Sequence, residues 1–236
     1  MTIVLYLCAA AVMTAGGQLL LERAGSGPPW QALFRIWRRP VPPVAAGLVL
    51  VLAVMGIWQT VHPAVIGTLE RHPGAGWWHV VTGLLVQSDG WFQIVFNLAA
   101  LVVVAPIAAR TFGNLRTLAV YLVAGIAAQA VSAAGWSPHG GGDSVAICGL
   151  VGALAVGYCL RGTRSELRRL LLLVPAAAVV LCVLTNNHGV GLAVGCVLGV
   201  PLASYLAGPT PPAAVIQPVA ATQPDGAAPS QHTDSL

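Results

Sequence analysis

The chain has 236 residues, 57% of them hydrophobic and only 8% charged, with a mean hydropathy of +0.81 and a formal net charge of +4. A soluble domain carries about 25% charged residues, so this composition excludes an ordinary cytosolic enzyme and a disordered protein. All eleven cations are arginines, scattered too widely to form a nucleic-acid-binding stripe, and they flank apolar segments as in a polytopic membrane protein.

A membrane-crossing helix needs about 20 mostly apolar residues. On that scale the chain reads as spans at 2–21, 43–61, 92–109, 117–136, 144–160, 168–185 and 188–206. The first has no basic residues before it and positive charge after it, so it reads as a retained helix rather than a signal peptide. With seven spans, ten of the eleven arginines fall in loops on one side, and only Arg71 lies opposite. The positive-inside rule then places the N-terminus outside and the C-terminus in the cytoplasm. The outside loop 62–91 holds Trp77, Trp78 and Trp91 and an apolar stretch, His79 to Val86, that is too short to span and suits a re-entrant or interfacial element. Three units follow: an N-terminal helix with a basic loop (1–42), a membrane domain (43–206), and a Pro/Ala/Gln/Thr-rich tail (207–236) read as a disordered cytoplasmic segment. Cys8, Cys148, Cys159, Cys182 and Cys196 lie inside apolar segments without metal-binding or disulfide spacing.

Polar groups inside spans are expensive and mark functional candidates. Asn97 sits in the third span, Ser144 opens the fifth, and His188 opens the seventh. The fifth and seventh run in the same direction, so their first residues share a depth near the outer face. Gly149, Gly152, Ala153 and Gly157 on one, and Gly191, Gly195 and Gly199 on the other, let the two backbones approach closely. Such an approach brings a hydroxyl and an imidazole within hydrogen-bond reach, the minimum for a base-activated nucleophile. The loop Gly140-Gly141-Gly142-Asp143 enters a helix at Ser144, and helix N-terminal amides suit an oxyanion. Each feature also has an ordinary reading: a serine cap, an interfacial histidine, simple helix packing. Their coincidence at one depth favours the chemical reading.

These residues resemble the rhomboid intramembrane serine proteases. The segment from Gly142 to Ala153 is similar to that family's Gly-x-Ser-Gly nucleophile segment, and His188 with Gly191 and Gly195 to its base segment. Trp78-His79 resembles the Trp-Arg pair of the first outside loop. Gln93 to Asn97 lies where the family shows His-x-x-x-Asn, and Gly113 fits the end of its Glu-x-x-x-Gly element. The resemblance covers about residues 43 to 206. It implies an all-α, rhomboid-like six-helix core plus one extra N-terminal transmembrane helix. It also implies a Ser144–His188 dyad with Ser144 as nucleophile and His188 as general base. Asn97, Gln93, Gly142 and the Ser144 amide would form the oxyanion and substrate-binding site, with no cofactor or metal. The chain departs from the pattern at Gln93 and Gln87 (each for a histidine), Val145 (glycine), Cys148 (aromatic), Ala109 (glutamate) and His79 (arginine).

The expected activity is hydrolysis of peptide bonds in or near the transmembrane segments of single-span protein substrates, within a bacterial plasma membrane. The alternatives are a catalytically silent rhomboid-fold binder of membrane helices, and an unrelated small transporter or channel with a polar lining. Paired broken helices and paired intramembrane charges, which transport sites show, are missing from the sequence.

Overall fold

The computed structural model describes residues 2–25, 28–38 and 40–206; the expected tail, 207–236, lies outside them. The described chain is helical. α1 (Thr2–Ala24) carries Arg23 in its last turn, and α2 (Pro29–Ile36) is a short amphipathic helix in the basic loop. α3 (Pro43–Val61) opens on a proline, where the missing N–H costs nothing. α4 (Ala64–Leu69) and α5 (His79–Thr82) are brief turns in the long loop. α6 (Trp91–Phe112) is bounded by Gly90 and Gly113, both in the left-handed region at φ 81 and 85. α7 (Asn114–Val131) widens into a π-turn over Ser132–Trp136. α8 (Ser144–Arg161), α9 (Ser165–Leu171), α10 (Leu173–Val183) and α11 (Asn187–Leu202) complete the bundle.

Among the described residues six helices are long and apolar enough to cross a membrane: α1, α3, α6, α7 with its π-turn, α8, and α11 with the turn that follows it. The chain is thus a multi-pass membrane protein. The span expected at 168–185 is divided at Leu172 into α9 and α10. Pro175 supplies the physical reason: it has no N–H to offer the carbonyl four residues back, so the ladder breaks there.

α8 is the axle of the bundle, with α6, α7 and α11 packed around it and α10 behind α11. The α8–α11 seam is backbone on backbone. A Cβ at Gly191, Gly195 or Gly199 would collide with the carbonyls of Val145, Gly149 and Ala153, and one at Gly152 with that of Leu192. Small residues at this period are what lipid-embedded helices need to associate closely. On the opposite flank, Gly149 abuts the Ala124 methyl of α7.

The two ends of the bundle differ chemically. At one end arginines close the loops: Arg110 donates from Nε to the Ile36 carbonyl at 2.9 Å, Arg168 from Nε to the Cys159 carbonyl at 2.8 Å, and Arg164 pairs with Glu22. At the other end lie the starts of α6, α8 and α11, the long loop 62–90, and Arg71.

Candidate active site

Ser144 is the first residue of α8, and the glycine seam fixes where α11 can begin beside it. The result is a contact between residues 44 apart: Ser144 Oγ lies 3.0 Å from His188 Nε2. The loop Leu184–Asn186 reverses the chain just before α11. Thr185 takes φ 54 there, a left-handed conformation uncommon for a β-branched residue, and so delivers Asn186 to the start of the helix.

Asn186 fixes the tautomer of the histidine. Its side chain accepts the His188 backbone N–H at 3.0 Å, which identifies the accepting atom as Oδ1. The same oxygen lies 3.0 Å from His188 Nδ1, so Nδ1 is the protonated ring nitrogen. Nε2 of the neutral ring is then the bare acceptor, and it faces the Ser144 hydroxyl. The three side chains form an oriented Ser–His–Asn chain.

The loop before Ser144 is gripped from several elements. Arg71 pairs with Gly140 through backbone hydrogen bonds in both directions and donates from Nη2 to the Ser137 carbonyl at 3.1 Å. Gly141 N–H donates to Ser88 Oγ at 2.6 Å, Gly142 N–H to the Gly83 carbonyl at 2.8 Å, and Gln129 Nε2 to the Gly142 carbonyl at 2.8 Å. Gly142 sits at φ 151 with Gln93 against its α-carbon, and a Cβ there would strike the Gln93 amide. The apolar stretch expected to be re-entrant or interfacial supplies this cradle. His79–Thr82 makes one helical turn, and Leu84 and Val86 are buried beneath the glycine loop.

Asp143 is fully buried and faces away from His188. Its Oδ1 accepts from Gln87 Nε2 at 2.8 Å and from Asn97 Nδ2 at 3.0 Å, and its Oδ2 accepts from Tyr121 at 3.1 Å. Gln59 of α3 holds the Gln87 backbone with a reciprocal pair of bonds at 3.0 and 2.9 Å. Burial pushes the Asp143 carboxyl up to about 6, against the opposing pull of the hydrogen bonds from Gln87, Tyr121 and Asn97.

The network bears on the expected oxyanion residues. Asn97 is buried, and Nδ2 donates both to Asp143 Oδ1 and to Gln87 Oε1, the latter at 2.7 Å, so both its hydrogens are engaged. Gln93 accepts the Asp89 N–H at 2.9 Å through Oε1, while its Nε2 makes only a long 3.4 Å contact with the Gly141 carbonyl. The second N–H of Gln93 therefore has no partner. The Ser144 amide, at the head of α8, precedes the helical hydrogen-bond ladder.

Ser144, His188, Asn97 and Gln93 line one cavity of about 500 Å³, together with Asp89 and Cys148. Its remaining lining is largely apolar and includes residues of α1. Among the described residues no cluster of three His, Cys, Asp or Glu side chains is placed to hold a metal ion.

Sequence reasoning brought Ser144 and His188 together but did not single out Asn186 or Arg71. An Asn two residues before a His at a predicted helix start, the capping position, was the available signal for the first. For the second it was a lone arginine on the side otherwise free of them.

Comparison with known proteins agrees with this architecture at the level of the domain. No curated protein matches the chain, and no solved structure matches it. The family model of the Rhomboid domain matches residues 74–205, the stretch that carries the glycine loop, α6 to α11 and both members of the Ser144–His188 pair. The match takes in more than half of the chain, which therefore belongs to the rhomboid family.

Proposed function

We propose that this protein is an intramembrane serine protease that cuts the transmembrane or juxtamembrane segments of single-span membrane proteins. The observation that carries this reading is the 3.0 Å contact from Ser144 Oγ to an imidazole whose tautomer Asn186 has already set. Ser144 Oγ attacks the scissile carbonyl carbon while its proton passes to His188 Nε2. Asn186 Oδ1 keeps hold of Nδ1–H as the ring becomes an imidazolium, as the third member of a triad does. The oxygen of the tetrahedral intermediate is met by the Ser144 amide and the free N–H of Gln93, while Asn97 acts one step back by holding Asp143 and Gln87 in place. Collapse of the intermediate breaks the C–N bond, and Nε2–H protonates the leaving amine. A water then gives its proton to Nε2 and attacks the acyl-serine, releasing the carboxyl product and restoring the hydroxyl.

The amide bonds of a regular helix are shielded, so a substrate must unwind at the cut site, which favours Gly and other helix-weakening residues there. The arginine-rich end is read as cytoplasmic by the positive-inside rule, putting the dyad near the outer face of a bacterial plasma membrane. A reporter fused after residue 236 and active only in the cytoplasm tests that orientation; activity only on the opposite side would reverse it.

A fluorophosphonate probe on the purified full-length protein tests the chemistry. Wild type is expected to label, Ser144→Ala not at all, and His188→Ala at least about a hundredfold more slowly. Asn186→Ser keeps a helix-capping oxygen but loses the Nδ1 partner. It is expected to label more slowly with unchanged thermal stability, and its ¹⁵N-histidine spectrum should show mixed tautomers where wild type shows Nδ1–H. Equal labelling of wild type and Ser144→Ala would remove the protease reading. The alternative, a silent binder of membrane helices, draws on the full engagement of both Asn97 hydrogens, which leaves one oxyanion donor fewer than the family resemblance implies.

A further inference from the structure

The outer wall of the dyad cavity is made by a helix that the family match does not include. Leu5, Tyr6, Ala9, Val12 and Met13 of α1 line the same cavity as Ser144 and His188, facing Phe96 and Ala100 of α6 and Leu181 of α10. Residues 2–24 lie entirely outside the matched segment 74–205. Without α1 the cavity would stand open to lipid between α6 and α10.

The packing of α1 is thin and uneven. Of its apolar window 22% is buried, the same share as in α3, against 61% for α8. Its buried residues, Cys8, Ala15, Gly16 and Leu19, form a narrow stripe weighted towards the second half. There Gly16 allows an approach to Val151 of α8, Glu22 pairs with Arg164, and the Arg23 guanidinium lies over the Tyr158 ring at 5.4 Å. The first half lacks such anchors, and Ile3, Tyr6 and Leu7 are each more than 60% exposed even though Tyr6 borders the cavity. A further cavity of about 810 Å³ lies between the second half of α1 and α9.

From this geometry we propose that the N-terminal half of α1 occupies the berth of a partner helix. The partner is a single apolar transmembrane segment, which reaches the dyad by displacing residues 2–13 while the Glu22–Arg164 end stays in place. The berth is largely apolar along its walls, with its polar groups at Asp89, Gln93, Asn97, Ser144, Asn186 and His188, and its fit to one apolar helix is demonstrated by α1 itself. In lipid, exchanging one apolar helix for another carries no hydrophobic penalty, and only packing contacts change hands. The first half of α1 is held by apolar packing alone, Cys8 in the core with Leu5 and Val12 against it, so no side-chain hydrogen bond or ion pair of residues 3–13 has to break for the exchange. Identifying the displacing helix as a substrate rests on the protease reading; the docking does not.

The test uses the full chain carrying Ser144→Ala, so that the probe is not consumed, in lipid nanodiscs. The probe is a synthetic Leu/Ala helix of about 20 residues with lysine ends, a central Gly pair and a central benzophenone. Spin labels on noncanonical residues at positions 3 and 183, both exposed at the dyad end, report the α1–α10 separation without touching the five native cysteines. The expected result is photo-crosslinking to Phe96, Ala100 or Leu181, and a lengthening of the 3–183 distance by about the width of a helix, roughly 10 Å. Three results each overturn the proposal: crosslinks confined to lipid-facing positions such as Val54 or Val197, no crosslinks, or cavity crosslinks with an unchanged distance. Fluorophosphonate labelling of wild type judges the protease reading separately. A protein that fails to label yet shows the displacement keeps the berth and loses only the chemistry.

Discussion

The α8–α11 seam and the α1 flank are both built from apolar helices carrying glycine, yet they are packed in opposite ways. At the seam the glycines face backbone carbonyls, so the separation of α8 and α11 is set by atoms that cannot move aside. On the flank Gly16 reaches only ordinary contact with a valine methyl, and Gly17 has nothing within 4 Å. In a bilayer, where burial of apolar surface gives no preference between protein and lipid, closeness of approach is what makes one interface rigid and another exchangeable. The protein places its Ser144–His188 contact on the rigid one.

The sharpest way to break this contrast is to add one methyl group to the seam. In Gly195→Ala the new Cβ lands on the Gly149 carbonyl, and no side-chain rotation relieves it. Overpacking of this kind costs about 1–3 kcal/mol. The functional loss is expected to exceed the loss of stability, because α8 and α11 must separate and carry Ser144 away from His188. A drop in melting temperature in detergent, with fluorophosphonate labelling falling at least tenfold in protein still folded, is the expected pair of readings. Unchanged labelling would show that the seam does not hold the dyad.

A smaller direct effect on labelling, though a larger cost in stability, is expected one step from the dyad, at Asp143. Asp143→Leu strands donors from Gln87, Asn97 and Tyr121 in a dry site, at about 1–3 kcal/mol for each group left unpaired. Asp143→Asn keeps the oxygen that two of them use, and the Tyr121 hydroxyl can rotate to accept from the new amide. Asn is therefore expected to be tolerated where Leu is not. The carboxyl also gives stability a pH dependence. Its folded pKa, about 6, lies above the 3.8 of an unperturbed aspartate. Between those values the folded chain holds a proton that the unfolded chain has released, so stability falls as pH rises from about 4 to 6 and levels off above. Two units correspond to about 3 kcal/mol. Melting curves across that range should show the decline in wild type and a loss of it in Asp143→Asn; an equal slope in both would place the titrating group elsewhere.

These contrasts mark how far the sequence could be read. The span expected at 43–61 is α3, Pro43–Val61, because Pro42-Pro43 before it and His62-Pro63 after it punctuate it locally. The glycine row of α11 was legible for the same reason: a four-residue period is a property of one segment. The division of α9 from α10 was not, since 170–184 is apolar throughout and one Pro175 near its start does not change its composition. The Asp143 network was illegible in principle. Gln59, Gln87, Asn97 and Tyr121 come from four separate stretches, and nothing in any one of them names its partner. Arg71 carried meaning in the sequence only as the odd arginine in a topology count, whereas in the fold it clasps the loop that presents Ser144.

The gentlest test repeats the first substitution on the other flank. Gly17 lies in the interior of α1 with nothing within 4 Å of its would-be Cβ. There the same methyl meets no backbone. It lowers the conformational freedom of the unfolded segment and favours the helix by up to about 1 kcal/mol. Gly17→Ala is therefore expected to raise the melting temperature slightly or leave it alone, with fluorophosphonate labelling unchanged. The sign is the informative quantity. Opposite signs for one chemical change at Gly195 and Gly17 would establish that rigidity belongs to the seam. A loss of stability at Gly17 as large as that at Gly195 would mean that α1 is clasped as tightly as α11, and an N-terminal helix held that way could not yield its place beside the dyad.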